Sequence, residues 1–236
     1  MIGHKAISSI GQPISGLAWW LFPPRCLVCG GEGQPGRDLC RPCEAELPRR
    51  RDPNAPLGAT PQGATTPWVV PFHYRPPLDH LIRDLKFRHR LPVARLLGEL
   101  LATAVEARGL DLPVAVVPVP LHRERLRQRG FNQATEIALA AAGPLGLPVR
   151  TDALLRTGKA PPQSRLTARA RRANVDQAFV LRRPLPPRVA LVDDVCTTGA
   201  TLEAALAPLT RAGVQQIQLW VVATTPHDDR GENAEA

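Results

Sequence analysis

Short unbroken apolar runs stand at residues 114–119 and 189–192, and residues 217–223 form a third strand candidate with Gln218 as its one polar residue. Runs of that length without polar interruption are the pattern of strands buried on both faces of a parallel sheet. Residues 68–74 read as a further strand with Pro71 at an edge, because proline cannot donate to a ladder. Residues 148–150 and 179–181 are shorter strand candidates. Between these runs the period changes. Leu81, Ile82 and Leu85 share a helical face beside Arg83 and Lys86, and the apolar set 93, 96, 97, 100, 101 and 104 fits an amphipathic helix. Asn132 is placed to cap a helix running to Ala142, where Gly143 and Pro144 stop it. A helix over 201–212 ends at Gly213, and Pro208 is expected to kink or shorten it. Strands alternating with helices predict an α/β fold, a mostly parallel sheet flanked by helices, with ligands at the carboxyl ends of the strands.

Composition divides the chain further. Residues 49–66 are rich in Pro, Gly and Thr without periodicity and read as a linker. They separate the main domain, residues 67–225, from a small module at 25–48. Residues 1–24 form a short amphipathic segment. Its Trp19, Trp20, Leu21 and Phe22 are read as packing on the body of the protein, the alternative being a membrane-surface or partner-docking helix. The tail, 226–236, is polar and expected to be disordered. No run approaches the roughly 20 apolar residues that cross a bilayer, and the N-terminus is a poor signal peptide. The reading is a cytoplasmic protein.

Four of the five cysteines stand as Cys26-x-x-Cys29 and Cys40-x-x-Cys43. Two such knuckles can deliver four thiolates to a tetrahedral zinc ion. Gly30 and Gly31 follow the first pair, where a positive-φ turn is useful. Two disulfides are the competing reading, and a reducing compartment favours zinc. With no open ligand position in sight, the metal is expected to be structural.

The most informative stretch is 189–201, VALVDDVCTTGAT. A short strand delivers two carboxylates, Asp193 and Asp194, at its end. A run of small and hydroxylated residues then leads into a helix. Backbone N–H groups of such a loop, with the helix dipole behind them, favour a phosphate. Carboxylates accept hydrogen bonds from sugar hydroxyls. Two acids after a strand could also be an ordinary turn or could bind Mg²⁺ directly. The Thr-Thr-Gly-Ala-Thr that follows favours a phosphorylated sugar, and the absence of Gly-Lys-Ser/Thr excludes a P-loop.

The net charge of +9 is compatible with nucleic acid, a membrane surface or a phosphorylated small molecule, or with base composition alone. Arg123, Arg125, Arg127 and Arg129 lie in one short basic stretch. They are either a solvated face or phosphate ligands. Arg129, followed by Gly130, Phe131 and Asn132, is favoured as functional. Cys196 falls inside the phosphate loop, where a helix N-terminus can lower a thiol's pKa, but filler is the preferred reading. His73 and His122 have no nearby partner in sequence and are read as structural or exposed.

VALVDDVCTTGAT resembles, at every position, the 5-phosphoribosyl-1-pyrophosphate (PRPP) motif of type I phosphoribosyltransferases. Residues 117–133, VPVPLHRERLRQRGFNQ, narrow the resemblance, together with the four leading cysteines, Tyr74 and the Leu81-Ile82-x-x-Leu85-Lys86-Phe87 segment, and QSRLTARARRANVDQAF at 163–179. The chain is similar, over roughly residues 19–225, to the competence protein F (ComF) family. That family joins a small zinc module to a phosphoribosyltransferase-like domain.

The resemblance implies that Asp193 and Asp194 bind the ribose hydroxyls of PRPP. It implies that Val195, Cys196, Thr197, Thr198, Gly199, Ala200 and Thr201 form the loop around its 5′-phosphate. The turn after strand 114–119 would be the pyrophosphate loop, and residues 157–174 a mobile loop carrying Arg165 and Arg169 over the site. Mg²⁺ would be held mainly by the ligand's own oxygens. Catalysis would rest on electrostatic stabilisation by Asp193, Asp194, Arg129 and Arg165. The reaction implied is transfer of phosphoribose to an unidentified acceptor base with release of pyrophosphate. The alternative is an accessory protein for DNA uptake or single-stranded DNA handling beside a DNA-uptake helicase, weakly catalytic or non-catalytic. The scarcity of aromatics weakens direct DNA binding.

Overall fold

The computed structural model describes residues 23–53, 66–157 and 178–225. The chain divides after Ala45 into a small unit and a large one.

In the small unit the first cysteine pair sits on a tight turn. The Cys26 N–H donates to Gly31 O, the Gly30 N–H donates to Cys26 O, and Gly30 takes the positive φ of 76° that the sequence suggests. The second pair opens a five-residue helix, α1 (Arg41–Ala45), which buries Cys43. Both oxygens of Glu44 are used. One accepts from Gln34 Nε2 at 2.7 Å and the other from Arg37 Nη1 at 2.8 Å.

The large unit is built on a parallel sheet. In chain order its elements are β1 (Trp68–Val69), β2 (Phe72–His73), α2 (Leu78–Arg88), α3 (Leu91–Ala107), β3 (Ala115–Pro118), α4 (Arg123–Arg129), α5 (Gln133–Ala142), β4 (Leu154–Arg156), β5 (Phe179–Leu181), β6 (Arg188–Cys196), α6 (Ala200–Arg211) and β7 (Gln216–Thr224). The sheet order is β1-β7-β6-β3, with β2 also on β7 and every pairing parallel. β4 and β5 form a separate antiparallel pair. Among the described residues no helix is long and apolar enough to cross a membrane.

Several sequence expectations are sharpened. The strand expected over 68–74 is two short pieces on the same edge of β7, interrupted at Val70 and Pro71. Residues 49–53, the start of the expected linker, run along that edge. The His73 N–H donates to Pro48 O, the Arg50 N–H to Pro71 O and the Val70 N–H to Pro53 O. Residues 54–65, like 1–22, 158–177 and 226–236, lie outside the described residues. The candidate strand at 148–150 is a single bridge, Val149 to Val116. Pro208 does not end α6, which continues to Arg211. Proline removes one N–H and crowds one carbonyl, and so close to the helix end the remaining turn closes through the Ala212 N–H bond to Pro208 O at 3.2 Å.

Both faces of the sheet are covered. Val117, Val189, Leu191, Leu219 and Val221 pack with Leu202, Leu206 and Leu209 of α6 and with Phe179 of β5. The alternate residues Val116, Ala190, Val192, Trp220 and Val222 are equally buried, and their strands are packed by α3 and α5. That double burial is why these strands read as nearly continuous apolar runs. α3 and α5 approach closely at Gly98. A Cβ there would meet Ala140 Cβ at 2.4 Å, Ile137 O at 2.7 Å and Ala141 N at 2.9 Å. Two of these are backbone atoms of a packed helix and cannot swing away. Gly98→Ala should therefore destabilise the large unit by about 2 kcal/mol, the overpacking cost exceeding the helix-propensity gain. Urea unfolding followed by circular dichroism reads this directly, and an unchanged midpoint would contradict the close approach.

Candidate functional site

Because the sheet is parallel, the carboxyl ends of β3, β6 and β7 open on one edge. β6 does not stop before the acids, as the apolar run suggests, but pairs with β7 through Cys196. Asp193 and Asp194 are therefore strand residues, and both are buried. Adjacent strand residues point to opposite faces, so the two carboxylates are approached by different elements. The backbone N–H of Asp194 donates to Asp193 Oδ1 at 2.9 Å.

Lys86 reaches Asp194 from the last turn of α2, its Nζ ion-paired with Oδ2. Arg156 of β4 lies on the Asp193 side, its guanidinium 5.3 Å over the Phe179 ring. Burial, and next the charge of Asp194, push the Asp193 carboxyl well above the ordinary carboxylate range, with Lys86 working in the opposite direction. Burial and the nearby Arg125 lower the Arg156 guanidinium, while Asp193 raises it. The arrangement is an acid pair held under a partial counter-charge, with Arg125 of α4 and Arg156 of β4 close enough to repel each other.

The loop after β6 is pinned at its base. The Thr225 N–H donates to Cys196 O at 3.1 Å, and Thr225 Oγ1 donates to Thr197 O at 3.4 Å. Thr197, Thr198 and Ala200 are exposed. Gly199 caps α6 with φ 78°, a conformation that glycine takes without a Cβ penalty. A helix of 12 residues thus starts behind two exposed threonines, an arrangement suited to a phosphate. Cys196 is buried, and burial with the neighbouring Asp193 charge raises its thiol to about 11. The filler reading fits that inert setting.

The stretch after β3, expected as a loop, carries the seven-residue helix α4. His122, without a visible partner in sequence, is its N-cap: its Nδ1 accepts from the Glu124 N–H at 3.3 Å. Asn132 caps α5 as expected, and its Nδ2 donates to Val119 O at 2.9 Å, tying α5 to the end of β3. Arg129 Nη1 donates to Gln133 Oε1 at 2.9 Å, and its guanidinium lies 5.6 Å from the ring of Phe87, the residue after Lys86. The structure thus brings Asp193, Asp194, Lys86, Arg125 and Arg156 together around the end of β6, with Arg129 beside the neighbour of Lys86. Arg123, Arg125 and Arg127 are exposed on α4. Arg165 and Arg169 lie outside the described residues.

In the small unit, Sγ atoms of Cys26, Cys29, Cys40 and Cys43 all lie within 4.8 Å of one another, and those of Cys29 and Cys40 are 3.8 Å apart. A regular tetrahedron with Zn–S bonds of about 2.3 Å places sulfurs about 3.8 Å apart, so the cluster fits zinc. None of the four is in a disulfide. Burial raises the Cys26 thiol, but backbone donors from Cys29, Cys40 and Val28, then the Cys29 side chain, lower it to about 6. Burial and the other three thiols push Cys43 upward. Such a cluster cannot ionise throughout without a cation at its centre.

The double zinc ribbon domain family matches residues 17–63. Two relatives match across nearly the whole chain. The DNA utilization protein YhgH of Escherichia coli O157:H7 is 34% identical over 227 residues, which cover 90% of this chain and 98% of the relative. Competence protein F of Haemophilus influenzae is 34% identical over 208 residues, covering 85% and 84%. The crystal structure of TT1426 from Thermus thermophilus covers 57% of this chain and 84% of its own at 21% identity, with a TM-score of 0.35.

Proposed function

Because this chain belongs to the competence protein F family, which includes the DNA utilization proteins YhgH of Escherichia coli and Salmonella, we propose that its large unit binds PRPP and transfers phosphoribose to a nitrogenous acceptor. The observation that carries the reading is the end of β6: a buried acid pair followed by Thr-Thr-Gly-Ala-Thr, with Thr197, Thr198 and Ala200 exposed, leading into α6. In this reading Asp193 and Asp194 accept hydrogen bonds from the ribose hydroxyls, and residues 197–201 receive the 5′-phosphate. Residues 67–225 form the phosphoribosyltransferase-like domain and 25–48 the zinc module.

The acceptor nitrogen would form the new bond to the anomeric carbon as the bond to pyrophosphate breaks. The leaving group takes that electron pair, and the acceptor gives up a proton. Negative charge grows on the leaving oxygens, so fixed guanidinium groups near them lower the barrier. Arg125 and Arg156 support that role, two like charges close enough for Arg125 to lower the Arg156 guanidinium. Mg²⁺ would come with PRPP, neutralising its diphosphate through the ligand's own oxygens. The acid pair, already shared with Lys86, does not resemble a dedicated protein cage.

A second reading keeps the ligand and drops the turnover: an accessory protein in DNA use, handling single-stranded DNA beside a helicase. It is favoured by the names of the relatives, by the exposed arginines of α4 and by Phe87, which is 70% exposed beside Arg129. Titration of PRPP with Mg²⁺ into the full chain, followed calorimetrically, should give one site per chain. Absence of heat sinks the PRPP assignment. Pyrophosphate release with a panel of nucleobases then decides between the readings, since binding without release under every base leaves only the accessory role.

A further inference from the structure

Lys86 lies outside the sugar-phosphate motif, yet its ammonium reaches the centre of it. The Lys86 side chain is 20% exposed and that of Asp194 is 6% exposed, so the ion pair lies below the surface where salt screens little. Three other charged groups face this region: Arg156 on β4, Arg125 on α4 and, near Cys196, Arg50 ahead of β1. Among the described residues, Lys86 is the cation ion-paired with a carboxylate of the pair.

We infer that Lys86 is both counter-ion and exchange partner of the acid pair. It holds Asp194 by ion pairing until ribose hydroxyls take its place, and its ammonium then turns to the ligand's anionic oxygens. The inference rests on the PRPP reading above. A hydroxyl is a neutral donor and cannot replace a cation's charge. The displaced ammonium therefore needs an anion close by, and a sugar that arrives with a diphosphate supplies one. A neutral pentose would leave Lys86 without a partner in a poorly solvated place. This makes Lys86 a specificity-determining residue that selects an anionic sugar over a neutral one.

The test compares wild type, Lys86→Met and Lys86→Arg by calorimetry with Mg²⁺ and PRPP, in buffers of differing protonation enthalpy between pH 6 and 9. Lys86→Met should bind roughly tenfold or more weakly, the loss of a charged hydrogen bond. It should also release more protons on binding than wild type does, because the Asp193 carboxyl holds its proton more firmly without the lysine's charge. Lys86→Arg should restore most of the affinity and the wild-type proton count. A merely structural lysine would change the melting temperature without changing proton release. Wild-type affinity and proton count in Lys86→Met overturn the inference.

A ligand-free arm separates this from failure of the PRPP reading. Without Lys86 the pair's raised carboxyl rises further, so the stability of Lys86→Met should fall relative to wild type as pH increases from about 5 to about 9. Parallel curves reject the counter-ion role whether or not PRPP binds.

Discussion

Cys43→Ser is expected to abolish stoichiometric zinc binding and to unfold residues 23–45. The small unit has few apolar groups to bury. Its order rests on the tight turn at the first cysteine pair, the Glu44 hydrogen bonds and the cluster of four sulfurs. Structural zinc in small modules supplies about 10–16 kcal/mol of apparent binding energy, which becomes folding energy. A serine oxygen does not replace a buried thiolate ligand. Bound metal should fall from about one equivalent per chain to near zero, and limited proteolysis should cut within 23–45 while 66–157 stays intact. The Cys26 thiol, brought down to about 6, makes metal binding pH-dependent in the wild type. Protons compete with the metal for each thiolate, so acidification should release zinc and recovery should follow as pH returns to neutral. Full zinc occupancy in Cys43→Ser, measured on the purified chain, would rule out the four-thiolate site.

What can be read from sequence is what short-range chemistry determines. The Cys-x-x-Cys pairs, the cap at Asn132, the run 189–192 and the turn at Gly199 each depend on neighbours in the chain, and each stands where its local signal puts it. The misses come from contacts made by distant segments. Lys86 is visible in sequence as a charged position beside a helical apolar face and as part of the Leu81–Phe87 segment, but nothing local says that α2 ends over the carboxyl end of β6. Arg156 lies in a three-residue strand with no motif, and its proximity to Asp193 appears only once β4 pairs with β5. The full length of β6 escapes a local reading for a related cause. Aspartate disfavours strands, and only pairing with β7 keeps Asp193 and Asp194 in the ladder. The helix α4 is hidden because all of its residues except Leu126 are charged or amide-bearing, leaving no apolar face to detect.

The two acids of the pair should respond oppositely to neutralisation although both are needed for the ligand. Asp193→Asn is expected to weaken PRPP binding by roughly tenfold to a hundredfold, since a charged acceptor is replaced by a neutral one. It should also stabilise the ligand-free protein at pH 7. The Asp193 carboxyl is held well above its ordinary range by burial first and Asp194 second. The folded chain therefore binds this proton more tightly than the unfolded chain, and stability falls as pH rises from the unfolded value of about 3.9 toward the folded one. Removing the charge removes that loss, so the variant should be more stable than wild type at neutral pH, by a margin that shrinks toward pH 4. The Asp194 N–H keeps an acceptor, because the amide carbonyl introduced at position 193 can stand where Oδ1 stood.

Asp194→Asn strikes the other face. It leaves Lys86 mostly buried without its carboxylate, which should cost about 2 kcal/mol, less than a fully buried pair because the lysine can partly turn to water. It should lose PRPP affinity to a similar degree. Thermal melts of both variants across about pH 4–8, beside calorimetry with PRPP, give four comparisons. An Asp193→Asn protein less stable than wild type at pH 7, or wild-type PRPP affinity in either variant, would mean that the carboxylates serve the fold and not the sugar. A buried acid pair that lowers stability and holds no ligand would have no physical reason to be there, whereas one that raises affinity at the expense of the fold is what a binding site requires.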